Sequence, residues 1–223
     1  MKYDILSKPS YAVVEVHLEQ GETIVSDSGA MAWMDTTIST QTSTRGGALA
    51  GLKRKFLAGE SLFQNTYTAT AGAGTIAFAG GAAGDLVAID MQDGELLLEK
   101  GAYLASSDGI KADSKWSGLK GFFNEGLFIL RCTGTGTLFF NAYGDIQEID
   151  VDGEYLVDNG YAVAWDPSLQ YQLTRARRIR SFLFGDQIML RFSGRGKLWV
   201  QSRSAQSLAN WVHPFRRVQR RNN

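Results

Sequence analysis

The chain has 223 residues, 44% of them hydrophobic and 11% aromatic, which is ample for a real core and too apolar for a disordered chain. Its formal net charge is zero, so global charge argues for no partner, yet residues 1–150 hold 11 Lys+Arg against 18 Asp+Glu (−7) and residues 151–223 hold 12 against 5 (+7). The single cysteine, Cys132, excludes a disulfide within the chain and any cysteine-based zinc site.

The opening "MKYDILSKPSYAVVEV" has no long apolar core followed by small residues, so no signal peptide is expected. No apolar run approaches the roughly 20 residues that span a bilayer, and a soluble, cytoplasmic protein is the expectation. "QGETIVSDSGAMAWMD" (20–35) starts on Gly-Glu, continues through a short apolar run and a polar group to a second glycine, and ends on an acid. "RGGALAGLKRKFLAGE" (45–60) then breaks the strand rhythm. Leu49, Leu52, Phe56 and Leu57 fall at helical spacing with Lys53, Arg54 and Lys55 between them, which predicts one short helical insertion without a counterpart later in the chain. It reads either as a cap over the open end of a β structure or as an amphipathic segment that touches an anionic membrane surface. "ESLFQNTYTA" (60–69) returns to strand and enters "TAGAGTIAF" (70–78).

The same pieces then recur. "GDLVAIDMQDG" (84–94) and "GDIQEIDVDG" (144–153) match each other, as do "DGELLLEKGAYLASSD" (93–108) and "DGEYLVDNGYAVAWD" (152–166) with the stretch at 20–35. "CTGTGTLFF" (132–140) and "FSGRGKLWV" (192–200) match 70–78, with the first glycines at 72, 134 and 194, a period of 62 and then 60. Self-similarity at this spacing marks a repeat architecture. The pieces are short, Val/Ile-rich and divided by turn signals, and Asp-Gly between two such runs reads as a hairpin. The expected fold is all-β, a β-roll or distorted β-sandwich with an internal threefold pseudo-repeat. It forms one domain over 1–205, in repeats of about 1–80, 81–140 and 141–205, and a basic tail follows at 206–223. A second short helix is expected over Ser204 to Val212.

The paired glycines invite comparison with a phosphate-binding loop, which requires a helix immediately after them. Here "TIAF", "TLFF" and "KLWV" follow, all strand-like, so the glycines are expected to mark bulges or corners.

Taken in order, "GGALAGLKRKFLAGESLFQNTYTATAGAG", "GELLLEKGAYLASSDGI", "GLFILRCTGTGTLFFNAYGDI" and "GEYLVDNGYAVAWDPSLQY" resemble the altered inheritance of mitochondria protein 24 family, over about Lys2 to Gln201. The resemblance implies a fold similar to the trp RNA-binding attenuation protein, with internal threefold pseudosymmetry. It carries over no catalytic residue. The mitochondrial branch of that family is associated with inner-membrane organisation. The ending "HPFRRVQRRNN" falls outside the family pattern.

No catalytic constellation stands out. Glu15 and His17 share a strand face, but two ligands fall short of the three protein ligands of a catalytic metal site, and no metal or cofactor is expected. Cys132 has only Arg131 beside it, and strand neighbours point to opposite faces. Tyr143, Trp165 and Trp199 lie in apolar runs and read as core. The least ordinary feature is charge. From residue 168 onward 12 Lys+Arg stand against Asp186 alone, with Arg175, Arg177, Arg178 and Arg180 in "RARRIR". These four, with Lys53, Arg54 and Lys55, are the candidate anion- or partner-binding residues. The plainer alternative is pairing with acids of the N-terminal half. The expectation is therefore a non-enzymatic binding or scaffold protein that forms a homo-oligomer, a trimer among the candidate states. Nucleic-acid or anionic-lipid binding through the Arg-rich C-terminal region is the alternative.

Overall fold

Val14, Val16 and Leu18 are buried while Val13, Glu15 and His17 are half-buried. That period of two is what a strand with one face on the core requires, and it recurs along the chain. The structure, a computed structural model, describes residues 1–43, 64–114, 129–175 and 188–216. Among these residues the protein is all-β, with a short helix at the C-terminal end.

The first repeat contains β1 (Lys2–Leu6), β2 (Val13–Leu18), β3 (Thr23–Asp27), β4 (Met31–Met34), β5 (Ile38–Ser43), β6 (Gln64–Ala69) and β7 (Gly74–Ala79). The second contains β8 (Leu86–Glu99), β9 (Tyr103–Ser107), β10 (Ile110–Ser114) and β11 (Ile129–Asn141). The third contains β12 (Ile146–Asp158), β13 (Ala162–Trp165), β14 (Gln170–Arg175) and β15 (Ile188–Gln201), and α1 (Ala205–Val212) follows. All pairs among these described strands are antiparallel. β2 pairs β7 and β3 pairs β6 in the first repeat. A single long pair does the same work in the others, β8 with β11 and β12 with β15.

The long strands explain the glycines. "DGE" does not open a hairpin: Asp93-Gly94 lies inside β8 and Asp152-Gly153 inside β12. Gly94 stands opposite Gly134, and Gly153 opposite Gly194, so both partners of each ladder lack a side chain at the same level. The two strands can bend there together and pass from one layer to the next, as corner strands of packed sheets do. Gly134 has φ 128°, and a Cβ built on it would lie 2.2 Å from the Gly109 carbonyl oxygen. These glycines are therefore bends in continuous strand, as the sequence indicates, and no helix follows them.

Each repeat also carries a short strand with a one-residue irregularity against its long partner. It is β4 on β7, β9 on β11 and β13 on β15. A further strand lines the other half: β5 on β6, β10 on β11 and β14 on β15. The chain leaves and re-enters each repeat at paired residues, Ser43 opposite Gln64, Ser114 opposite Leu130 and Arg175 opposite Ile188. The strands that border the intervals 44–63, 115–128 and 176–187 are thus paired in the same way in all three repeats. The expected helix over 45–60 lies outside the described residues.

The repeats meet at their starts, where Ala12 N donates to Gly84 O at 2.9 Å and Asp85 N to Gly144 O at 2.8 Å. Three apolar clusters follow one another along the repeats, each shared with a neighbour: the first also takes Leu104 and Phe139 of the second repeat, the second Trp199 of the third, and the third Leu97 of the second. The first gathers Val14, Val16, Ile76 and Phe78, and the second Leu98, Leu130, Leu138 and Phe140. In the third, Trp165 is fully buried edge-on between Tyr171 and Phe192, with ring centroids at 5.3 and 5.4 Å.

Candidate functional site

α1 forms where the sequence indicates. Ser204 is extended, and its buried hydroxyl accepts from Ser207 N at 3.3 Å, satisfying a donor that the first helical turn leaves over. Gln206 Nε2 donates to Asn210 Oδ1 at 2.9 Å one turn along. Pro214 sits in the 3-10 turn His213–Phe215 that ends the segment. The root of the helix is tied down, since Ser202 N donates to Asp145 O at 2.9 Å and Arg203 N to Tyr143 O at 3.2 Å.

None of the eight residues of α1 is buried. Leu208, Trp211 and Val212 nonetheless recur at the spacing of one helix face, Phe215 follows in the 3-10 turn against Trp211, and all four are exposed, Trp211 at 68% and Phe215 at 73%. The two rings touch each other with centroids 5.7 Å apart and planes tilted by 54°. Scattered apolar residues on a surface need no explanation, but a continuous stripe of four large ones marks a surface meant for contact. Arg216 is exposed directly after it, and the sequence continues through Arg217, Arg220 and Arg221.

The sequence-expected residues fall differently. Arg175 closes β14 opposite Ile188. Arg177, Arg178 and Arg180 lie outside the described residues, as do Lys53, Arg54 and Lys55. Three other cations of the basic half are paired across the β12–β15 ladder. Arg195 Nη2 is 2.7 Å from Asp152 Oδ2, Arg191 Nη1 is 3.5 Å from Glu154 Oε1, and Lys197 meets Glu148. That last hydrogen bond holds the Lys197 ammonium above its ordinary pKa. Only Lys197 is thereby paired with an acid of residues 1–150, since Asp152 and Glu154 belong to the basic half itself.

Glu15 and His17 are engaged separately. His17 Nε2 is 2.9 Å from Asp4 Oδ2 and Nδ1 is 3.3 Å from Thr75 Oγ1, while Glu15 Oε1 accepts from Trp33 Nε1 at 3.2 Å. Cys132 stands within β11 and is buried. Burial, with the Asp113 charge second, pushes its thiol up to about 12, so little thiolate forms near neutral pH. Trp165 and Trp199 are core, as expected, while Tyr143 is half-buried.

The profile of the family described as Mitochondrial biogenesis AIM24 matches residues 3–203. An uncharacterised protein of Streptococcus pyogenes serotype M6 is 29% identical over 226 residues, covering 96% of this chain and 91% of that one. The crystal structure of a Streptococcus pyogenes protein superposes with a TM-score of 0.81 at 25% identity, over 96% of this chain and 99% of that chain. The family match ends two residues before α1 begins, so the exposed stripe lies beyond it.

Proposed function

The chain belongs to the AIM24 family, and from that premise we propose that it is a non-enzymatic, self-assembling scaffold that seats on an anionic lipid surface through the α1 stripe. The observation that carries this reading is the exposure of Leu208, Trp211, Val212 and Phe215 on one face, with Arg216 directly after them. An interfacial helix works by this division of labour. Its apolar face enters the boundary between headgroups and acyl chains, and its cations meet the anionic headgroups. Each Lys or Arg near such a surface contributes about 1 kcal/mol, screened by salt. The stripe is short, so binding is reversible and needs both parts. Among the described residues no helix is long and apolar enough to cross a membrane.

A lipid surface suits the stripe better than nucleic acid does. Bases stack on flat, accessible rings, whereas Leu208 and Val212 offer none and the Trp211 and Phe215 rings are tilted against each other. The test is co-sedimentation with phosphatidylcholine vesicles, with and without phosphatidylserine, beside a titration with single-stranded RNA. The expected result is binding to the phosphatidylserine vesicles that weakens with salt and is lost in Trp211→Glu/Phe215→Glu. No vesicle binding by the parent overturns the proposal, and RNA binding in its place assigns the surface to nucleic acid.

A further inference from the structure

Two seams of one construction join the three repeats inside the chain. β9 lies on β3 with Ser106 opposite Val25 and Ala105 opposite Ser26. β13 lies on β8 with Trp165 opposite Leu97 and Ala164 opposite Leu98. The ladders within each repeat fix which residues of the third repeat correspond. Val25, Leu97 and Leu156 stand opposite Thr66, Arg131 and Arg191. Ser26, Leu98 and Val157 stand opposite Asn65, Leu130 and Leu190. On the incoming strand, Met34, Ser106 and Trp165 face Ile76, Leu138 and Leu198, and Trp33, Ala105 and Ala164 face Ala77, Phe139 and Trp199.

By this correspondence a third seam would set β4 on the C-terminal half of β12. Among the described residues it is not made. Among the described strands β12 ends its sheet with only β15 beside it, and β4 ends the other sheet with only β7 beside it. The burial pattern records the gap. Val25 is 6% exposed and Leu97 1%, but Leu156 is 52% exposed. Ile24 and Leu96 are buried, but their counterpart Tyr155 is exposed. All four residues of β13 are buried and none of β4 is, with Trp33 48% exposed. Each molecule therefore displays both halves of a junction that it builds twice internally, with apolar side chains on both. Open edges with unpaired backbone groups are what a second strand satisfies.

We infer that β4 of one copy adds antiparallel to the open edge of β12 in a second copy, placing Met34 against Leu156 of the partner subunit and Trp33 against Val157 of the partner subunit. The contact is head-to-tail, because each copy offers one half and uses the other. Repetition either closes into a ring or continues as a filament, according to the rotation at each step. This inference rests on the self-assembly part of the function proposed above and is independent of α1.

The experiment is size exclusion with light scattering at tens of micromolar, on parent, Leu156→Asp, Met34→Lys and the double variant. The parent is expected at a multiple of 24.4 kDa. Each single variant is expected at the mass of one chain; Leu156→Asp should keep its circular dichroism melt, because Leu156 lies at an open edge, whereas Met34→Lys should melt lower, because Met34 packs partly against the first cluster. The double variant, with opposite charges now facing, is expected to recover the larger mass. A register check uses Met34→Cys/Leu156→Cys, which should form a disulfide between chains on oxidation while either single cysteine does not, native Cys132 being buried. A monomeric parent, a Leu156→Asp protein of parental mass, or no cross-link overturns the seam. A single-chain variant that still binds vesicles separates failure here from failure of the membrane reading.

Discussion

Replacing Gly134 by alanine, with Gly153→Ala as its control, separates two costs that the bent strands avoid. Both glycines have positive φ, 128° and 111°, a conformation that side chains disfavour. At Gly153 a Cβ meets nothing within 4 Å, so only backbone strain is added, about 1–3 kcal/mol. At Gly134 the Cβ would also lie 2.2 Å from the Gly109 carbonyl oxygen and 3.3 Å from Ile110 Cα. Backbone cannot rotate out of the way as a side chain can. The β10–β11 ladder, where Ile110 faces Gly134, must open by about an ångström, and overpacking of this kind adds about 1–3 kcal/mol. For a chain of this size each kcal/mol lowers Tm by about 2–4 °C. Thermal denaturation followed by circular dichroism should therefore show Gly134→Ala falling about twice as far as Gly153→Ala. Equal falls would refute the claim that close strand approach, rather than φ alone, dictates glycine at 134.

Trp165→Ala should cost about 3–5 kcal/mol by opening a cavity between Tyr171 and Phe192. Trp165→Phe should cost far less, because the buried indole Nε1 has no partner to lose; urea titration of both variants checks this. The Cys132 thiol, pushed up to about 12 from an ordinary 9.0, deprotonates first in the unfolded chain as pH rises. Its contribution to stability is therefore complete below pH 9 and lost as pH rises toward 12, so Cys132→Ala should flatten that part of the pH–stability curve. Ser204→Ala should weaken α1 by about 0.5–2 kcal/mol. The change should show as faster amide exchange at Ser207 and weaker vesicle binding, with the global melt unchanged.

Much of this architecture is legible in the residues. The three Gly-x-Gly segments, their spacing and the strand-like residues after them indicate bent β-strands, and Ser204 to Val212 indicates the helix. The Asp-Gly pairs mislead because the same dipeptide that turns a hairpin can also kink a continuous strand. Only the partner glycines, Gly134 and Gly194, distinguish the two, and they lie some 40 residues away in sequence. The α1 stripe is hidden for a different reason. Leu208, Trp211, Val212 and Phe215 have the spacing of any core-facing helix, and a sequence does not disclose that they are exposed. The arginines around them draw attention to charge instead. The open seam is equally silent, since Leu156 and Leu97 occupy matching places in matching segments, and only pairing shows that one is covered and the other is not.

The central claim, that the α1 stripe enters a lipid surface, is tested most directly by the fluorescence of Trp211. The chain has five tryptophans, of which Trp165 and Trp199 are already buried. On mixing with phosphatidylserine-containing vesicles the emission of the parent should shift to the blue. Trp211→Phe keeps the apolar stripe, so it should still sediment with vesicles but show no shift. A shift that survives in Trp211→Phe, or a parent that binds vesicles with no shift at all, would contradict the account.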